Sequence, residues 1–311
     1  MRILTAGGAG FIGSHLVRAL LAAGWEVTVL DNLSTGLKEN LPDGTDFIEA
    51  DVRDEETVRR IMLEGRYDAA VNLAGQTMVD ASIKNPRLDA EENILGTVNL
   101  LGAMCRAGVK RFVFASTAAA YGNVAAEDLP ILENSALAPM SFYGLSKVTA
   151  ERYLALYREI FGIDYVVLRF ANVYGERQGD GGEGGVISIF TKRLAKGEDI
   201  TIFGDGEQTR DFVYAGDIAA GIMASLVTKN VNTAYNLSSC TETSLRQLVS
   251  LLAQIAGRDI VPHYAPERTG DIRRSVLSNQ RAVRGLNWQA ATPLIEGLKK
   301  TYEYFAARAG R

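Results

Sequence analysis

An α/β fold, a doubly wound parallel sheet carrying a smaller mixed α/β lobe, is what this 311-residue sequence predicts. Three observations predict it. Short apolar runs alternate with amphipathic stretches through the first half of the chain, a glycine-rich turn joins the first run to the first stretch, and the alternation breaks down beyond residue 170. Strand and helix in strict alternation imply right-handed crossovers, and hence parallel strands covered on both faces.

Taken in order, residues 2–4, 26–30, 47–49, 69–73 and 112–115 are strand-like, being short and rich in Val, Ile, Leu and Phe. Between them, residues 11–23, 55–63 and 93–107 place apolar side chains at three- and four-residue spacing, as amphipathic helices do. Gly24 and Gly108 follow two of these helices, where a left-handed cap is easiest for glycine. A further helix, Phe142–Phe161, leads to a strand at 165–168. The run Gly179-Asp180-Gly181-Gly182-Glu183-Gly184-Gly185 is too rich in glycine for a regular element and is expected to be a flexible loop. Residues 244–256 and 294–307 read as helices of the smaller lobe. The expected division is a larger domain of residues 1–170 plus about 211–240, and a lobe of residues 171–210 and 241–311.

Composition narrows the function classes. The net charge of -4 gives no general attraction to nucleic acid or acidic membranes, so an anionic ligand must be met by a local site. Cys105 and Cys240 are the only cysteines and lie far apart, which argues against a disulfide framework and fits a reducing cytoplasm. With only His15 and His263, and no Cys/His cluster, no metal site is expected. The N-terminus reads as a strand rather than a signal peptide, and no run approaches the roughly 18 apolar residues of a membrane helix. A cytoplasmic protein is expected.

Gly7-Gly8-Ala9-Gly10-Phe11-Ile12-Gly13 places glycines at 7, 10 and 13, after a strand and at the start of a helix. The first allows the tight turn, the second lets the backbone approach a pyrophosphate, and the third permits close helix–strand packing. The pyrophosphate would sit on the helix N-terminus, where free N–H groups and the dipole favour negative charge. This makes the larger domain a Rossmann-type dinucleotide-binding domain. Asp31 ends the second strand, where an acidic side chain accepts hydrogen bonds from the adenosine ribose. A carboxylate there would repel a 2′-phosphate, and Asn32-Leu33-Ser34-Thr35-Gly36 contains no Arg or Lys, so NAD is expected rather than NADP. Asp51 and Val52 would reach the adenine.

Thr117 follows the strand at 112–115, and Tyr143-Gly144-Leu145-Ser146-Lys147 opens the later helix. Tyr and Lys four residues apart share one helical face. A tyrosine hydroxyl ordinarily titrates near pH 10. A nearby ammonium and a positive nicotinamide ring would both stabilise the phenolate, so that Tyr143 could take a proton from a sugar hydroxyl while hydride leaves the same carbon. The hydroxyl of Thr117 would hold the substrate oxygen in line. Tyr-x-x-x-Lys alone also arises by chance on helices; its position after a strand end that faces the cofactor gives it meaning.

These motifs together resemble the extended short-chain dehydrogenases, and within them the nucleotide-sugar 4-epimerases. Further matching segments are Asn93-Ile94-Leu95-Gly96-Thr97, Ala115-Ser116-Thr117, Leu168-Arg169-Phe170-Ala171-Asn172-Val173-Tyr174-Gly175, Ile202-Phe203-Gly204-Asp205-Gly206, Arg210-Asp211-Phe212-Val213-Tyr214 and Arg268-Thr269-Gly270-Asp271. The resemblance implies catalytic roles for Thr117, Tyr143 and Lys147. It implies a cofactor site of Gly7, Gly10, Phe11, Ile12, Gly13, Asp31, Asn32, Thr35, Gly36, Asp51, Val52, Leu73, Ala74, Ala115, Tyr143, Lys147 and Phe170. Substrate would be held by Thr117, Asn172, Phe203, Arg210, Arg268, Asp271 and Ser275. Two arginines can neutralise a diphosphate with bidentate hydrogen bonds, and a surface ion pair is the alternative for each. The implied reaction is NAD-dependent 4-epimerisation of a UDP-sugar (UDP-glucose/UDP-galactose) through a transient 4-keto sugar, with the nucleotide anchored while the sugar turns over. The family also implies a homodimer, with residues 93–107 and the helix Phe142–Phe161 as its pairing elements.

Three departures bear on this. Asn72 stands where the family often has His, and Thr5-Ala6 stands where Val-Thr is commoner. Ser275 stands where some strict UDP-glucose epimerases carry Tyr, which leaves room for an N-acetyl group and leaves substrate width open. The family's 4,6-dehydratases commonly carry Asp-Glu after the Thr, and its decarboxylases place a Glu nearby. Ala118 and Ala119 occupy those positions here and cannot move protons, so epimerisation is the better expectation, with a 4-ketoreductase as a further rival. A non-catalytic NAD-binding regulator of the same fold would commonly lose Tyr143 or Lys147, and both are present.

Overall fold

A computed structural model of the chain describes residues 1–179, 184–267 and 272–309. β1 (Arg2–Ala6) runs into α1 (Phe11–Ala22), followed by β2 (Glu26–Asp31), β3 (Asp46–Glu49), α2 (Glu55–Gly65) and β4 (Ala69–Asn72). Short helices α3 (Val79–Lys84) and α4 (Pro86–Ala90) lead through a π-helical turn, Glu91–Leu95, into α5 (Gly96–Ala107). Then come β5 (Arg111–Thr117), α6 (Phe142–Phe161) and β6 (Asp164–Phe170). The second half supplies β7 (Asn172–Tyr174), α7 (Val186–Ala195), β8 (Thr201–Phe203), β9 (Thr209–Tyr214), α8 (Ala215–Val227) and β10 (Thr233–Leu237). It ends with β11 (Glu242–Ser244), α9 (Leu245–Ala256), β12 (His263–Ala265), α10 (Gln280–Leu286) and α11 (Leu294–Ala309).

Seven parallel strands form the main sheet in the order β10-β6-β5-β4-β1-β2-β3. Alternate residues of each strand face opposite sides. Ile3, Val29, Val71, Val113 and Val166 pack with Leu16, Leu20, Ile218 and Ile222 of α1 and α8. Their neighbours Leu4, Leu30, Ala70, Phe112, Phe114 and Val167 pack with Val58, Met62, Leu100, Met104 and Leu154 of α2, α5 and α6. Both faces are therefore dry, which is why these strands read as near-continuous apolar runs. β1 is flanked by β2 and β4, so the strand order reverses beside it. In such sheets ligands bind in the crevice at the carboxyl ends of the strands at that reversal.

The lobe has its own core, in which Ile187, Phe190, Ile202, Phe212, Leu248, Leu252 and Leu298 meet between α7, α9 and α11. A three-stranded sheet β11-β9-β7 and the parallel pair β12-β8 sit in it. The chain crossing from β7 is fastened to α1: His15 Nε2 lies 3.1 Å from the Glu176 carbonyl oxygen, and Arg177 Nε donates to Ser14 Oγ at 2.8 Å. Burial, with the Arg177 charge beside it, holds the His15 imidazole down to about 4, so this fastening is uncharged on the histidine side at neutral pH.

Gly24 and Gly108 both take the left-handed conformation expected of them, each at φ 75. Two expectations are corrected. The helix expected at 93–107 begins earlier, at Pro86, and passes through the π turn at Glu91–Leu95 before becoming regular. The polar pair Glu91-Glu92 hides that earlier start from a reading based on apolar spacing. β9, which opens the segment expected to rejoin the main domain at about 211, pairs with β7 and β11 and not with a strand of the main sheet. Of the glycine-rich run 179–185, residues 180–183 lie outside the described residues.

Candidate functional site

The glycine loop is fixed by sterics. Gly7 has φ 78, and a methyl group on it would overlap the Leu73–Ala74 peptide. A methyl group on Gly13 would overlap the Gly7 carbonyl oxygen. No side chain caps α1, whose Gly10 cap is extended, so the N–H groups of its first turn are open to an anion.

One cavity at this loop is lined by Gly7, Gly10, Asp31, Asn32, Thr35, Gly36, Asp51, Val52, Leu73 and Ala74, with Ala50, Gly75 and Glu92 beside them. Asp31 is held rigidly: its carboxylate accepts the Ala9 and Leu33 N–H groups, each at 2.9 Å. Burial raises its carboxyl above the ordinary value while these amides pull it back. Asp51 accepts Asn32 Nδ2 at 2.9 Å, and the Arg53 guanidinium beside it holds its carboxyl well below the usual range. Among the described residues lining this cavity there are three carboxylates and no Lys or Arg. A ribose diol finds acceptors here, and a 2′-phosphate would meet like charge. The glycine cradle and this acidic wall fit NAD.

An adjoining cavity of about 370 Å³ shares Gly7, Gly10, Thr35, Leu73 and Gly75 with the first and continues past Phe11, Ile12 and Gly13 to Ala115, Thr117, Tyr143, Lys147 and Phe170. That volume is of small-molecule size. All of the expected cofactor and catalytic residues thus line one continuous crevice. Thr117 ends β5 and accepts the Ala119 N–H at 3.1 Å, capping the 3-10 turn Ala118–Ala120. Ser141 Oγ accepts the Gly144 N–H at 3.1 Å and so starts α6. A methyl group on Gly144 would lie 2.7 Å from the Ala119 carbonyl oxygen, so the first turn of α6 rests directly on the turn after Thr117. That contact brings Tyr143 to the end of β5.

Lys147 is buried one turn along α6, its ammonium 5.1 Å above the Phe114 ring. Among the described residues no carboxylate forms an ion pair with it. Burial pushes its amine down to about 8, with Asp89 opposing the shift from nearby. Asp89 itself receives Gln76 Nε2 at 2.9 Å and Asn93 Nδ2 at 3.2 Å, and Asn93 also donates to Ser146 Oγ at 3.0 Å. Asn72, one of the departures, is buried between Thr97 and the Ala74 N–H, at 3.0 and 3.1 Å, and shapes the turn toward Gly75.

The expected substrate residues are less gathered. Thr117 lines the cavity. Asn172 is exposed at the start of β7, between the lining residues Ala171 and Val173. Phe203 ends β8, and its carbonyl accepts Gln208 Nε2 at 2.6 Å. Arg210 Nη1 donates to the Thr209 and Ile272 carbonyls at 2.8 and 2.6 Å, tying β9 to the segment that carries Ser275, itself half-buried. Arg268 and Asp271 lie outside the described residues. The sequence reading missed Glu92, Gly75, Met78, Val79 and Gln178 as lining residues. Gln178 is buried, donates to the Val173 carbonyl at 3.0 Å, and leaves its Oε1 without a partner among the described residues. Its position next to the glycine run was the only signal.

Comparison with known proteins gives a consistent set. Residues 3–238 match the model of the NAD dependent epimerase/dehydratase family. A putative UDP-glucose 4-epimerase of Methanocaldococcus jannaschii is 40% identical over 97% of this chain and 97% of its own length. The crystal structure of UDP-glucose 4-epimerase with UDP-glucose from Thermotoga maritima superposes with a TM-score of 0.95 at 42% identity, covering 99% of both chains. A UDP-N-acetylglucosamine 4-epimerase from Methanobrevibacter ruminantium, in complex with UDP-N-acetylmuramic acid, gives 0.93 at 31% identity over 99% of this chain and 98% of that one.

Two predictions follow from the crevice. Gly13→Ala should weaken NAD binding by at least about tenfold, an overlap costing roughly 1.4 kcal/mol or more; calorimetric titration with NAD reads this, and wild-type affinity would contradict it. Lys147→Met should raise thermal stability of the cofactor-free protein at pH 7. The wild-type amine falls from its ordinary 10.5 to about 8 on folding, so its ammonium costs the folded state about 3 kcal/mol below pH 8. Between pH 8 and 10.5 the unfolded chain binds more protons than the folded one, wild-type stability rises, and the advantage of the variant should shrink. A pH-independent difference in melting temperature would contradict this.

Proposed function

The chain belongs to the NAD dependent epimerase/dehydratase family, and from that premise we propose that it interconverts UDP-glucose and UDP-galactose by NAD-dependent 4-epimerisation. The observation that carries this reading is the crevice in which Thr117, Tyr143 and Lys147 follow the glycine loop, beside a turn, Ala118–Ala120, that offers no acid. Bound NAD supplies a hydride acceptor and donor for the sugar carbon. Gly7, Gly10 and Gly13 hold its pyrophosphate against α1, Asp31 its adenosine ribose, and Asp51 and Val52 its adenine. The remaining work falls to the protein. Tyr143 takes the proton of the 4-hydroxyl, and Thr117 aligns that oxygen. Lys147 stabilises the phenolate, and Tyr143 returns the proton after the 4-keto sugar has turned over. Arg210, with Arg268, anchors the diphosphate; Asn172, Phe203 and Asp271 complete the nucleotide site.

The absence of side-chain acid at Ala118 and Ala119 separates this reading from elimination of water or loss of carbon dioxide, for which the family's dehydratases commonly carry Asp-Glu after the Thr and its decarboxylases a Glu nearby. We place the site between a dinucleotide-binding domain, residues 1–170 with the α8–β10 segment, and a sugar-nucleotide lobe made by the rest. The two free thiols suit a reducing compartment such as the cytoplasm. Along α6, Phe142, Leu145, Tyr153, Leu156, Ile160 and Phe161 are exposed at helical spacing, with Leu95 of the π turn exposed nearby. We assign this apolar stripe to pairing with a second copy of the chain.

Purified protein should carry NAD, and NMR should show it converting UDP-galactose to UDP-glucose. Tyr143→Phe should lower kcat by about 10²- to 10⁴-fold, the usual weight of general acid–base catalysis. Cofactor present with no response to any UDP-sugar would overturn the assignment. If Ser275 sets pocket width, Ser275→Tyr should depress turnover of UDP-N-acetylgalactosamine selectively; equal losses on both sugars would sink that role. Sedimentation equilibrium should give a dimer that Leu156→Lys converts to monomer, and a wild-type monomer would refute the pairing.

A further inference from the structure

Beneath the crevice lies a buried ionic network that the mechanism does not use. Glu151 is on α6, four residues beyond Lys147 and eight beyond Tyr143, so the three share one stripe of the helix. Its carboxylate is engaged by Arg169 of β6 as a fork, Nε to Oε1 at 3.0 Å and Nη2 to Oε2 at 2.6 Å, with both side chains buried. Ser116 Oγ of β5 donates to the same Oε1 at 2.6 Å. Ser116 and Arg169 are register partners on adjacent strands, and the next pair along is Thr117 and Phe170, both of which line the cavity. Arg169 is itself braced, donating through Nη1 to Tyr121 Oη at 2.9 Å and to the Glu133 carbonyl at 3.0 Å.

The apolar contacts of α6 with the sheet tolerate small slides and rotations, because dispersion is non-directional. A bidentate fork does not, since it fixes both distance and plane. A buried ion pair is weak evidence of stability and can serve registry instead. We propose that Glu151 and Arg169 are positioning residues: their fork, shared with Ser116, sets the register of α6 on β5 and β6, and so sets Tyr143 opposite Thr117. A misplacement of about 1 Å at a reacting group can cost on the order of a hundredfold in rate.

The test uses the full chain with its cofactor. Glu151→Leu combined with Arg169→Met removes both charges, so no unpaired charge is left buried and the fold should be retained. Its melting temperature, NAD content and KM for UDP-galactose should stay close to wild type, while kcat falls by on the order of tenfold or more. Hydrogen exchange at residues 143–147 should speed up by about tenfold with global stability unchanged. Arg169→Lys, which keeps the charge but loses the fork, and Ser116→Ala should give intermediate losses of kcat, and these decide the matter if the double variant does not fold. Wild-type kcat and exchange in the folded variants would overturn the proposal, as would parallel loss of kcat, KM and NAD content. Only the turnover arm rests on the proposed epimerase function. A wild-type protein without epimerase activity would sink that function and leave the exchange arm to decide the positioning role.

Discussion

A lysine ammonium enclosed at the carboxyl end of a parallel sheet must be held against its tendency to return to water, and much of the architecture around the crevice answers that constraint. Around Lys147, α6 is anchored on either side. Ser141 caps the helix start, Gly144 rests on the turn after Thr117, and Ala150 and Leu154 are packed into the core beyond. Single domains are stable by only about 5–15 kcal/mol. A cost of about 3 kcal/mol at one residue therefore requires a well-filled core behind it, which the aromatic pair Phe112 and Phe114 helps to provide. Asp89, whose charge acts on the ammonium, and its partner Asn93 are themselves tied down by hydrogen bonds.

The two halves of the crevice recognise their ligands by different means. At the cofactor end the protein offers chiefly backbone: glycines that admit close approach, an uncapped helix start, and carboxylates fixed by amides or by a neighbouring arginine. Such a surface is preorganised and selects by shape and sign. At the end proposed for the sugar nucleotide, the described side chains come from short strands and the segments between them, as Arg210 of β9 does, donating to the Ile272 carbonyl.

Much of this arrangement was legible in the sequence, for identifiable reasons. The first five strands and their helices announce themselves because a doubly covered sheet demands unbroken apolar strands and helices with one apolar face. The glycines at 7, 10 and 13, with Asp31 at the end of β2, are dictated by sterics and hydrogen bonding, and ten of the fifteen residues lining the first cavity could be named. The lobe was harder to read. β7, β8, β11 and β12 are three residues each, too short to show a period, and nothing local in β9 shows that its partners are β7 and β11. Glu151 gave no local signal, since its partners Ser116 and Arg169 are distant in the chain, and Gln178 had only its place beside the glycine run.

The π turn at Glu91–Leu95 is a place where chain length itself is constrained. It holds about one residue more than an α-helical turn. Asp89, before and within reach of it, and Asn93, inside it, are thereby both turned toward α6. Losing that one residue would leave a perfectly good helix from α4 to α5, but would rotate everything before the gap by roughly 100° and swing Asp89 away from its partners. Substitutions at exposed positions of this helix are easily absorbed, and gaps in a surface loop equally so. A deletion of one residue at this turn would take Asp89 and Asn93 away from Gln76 and Ser146, so the segment between Pro86 and Ala107 is constrained in length as well as in composition.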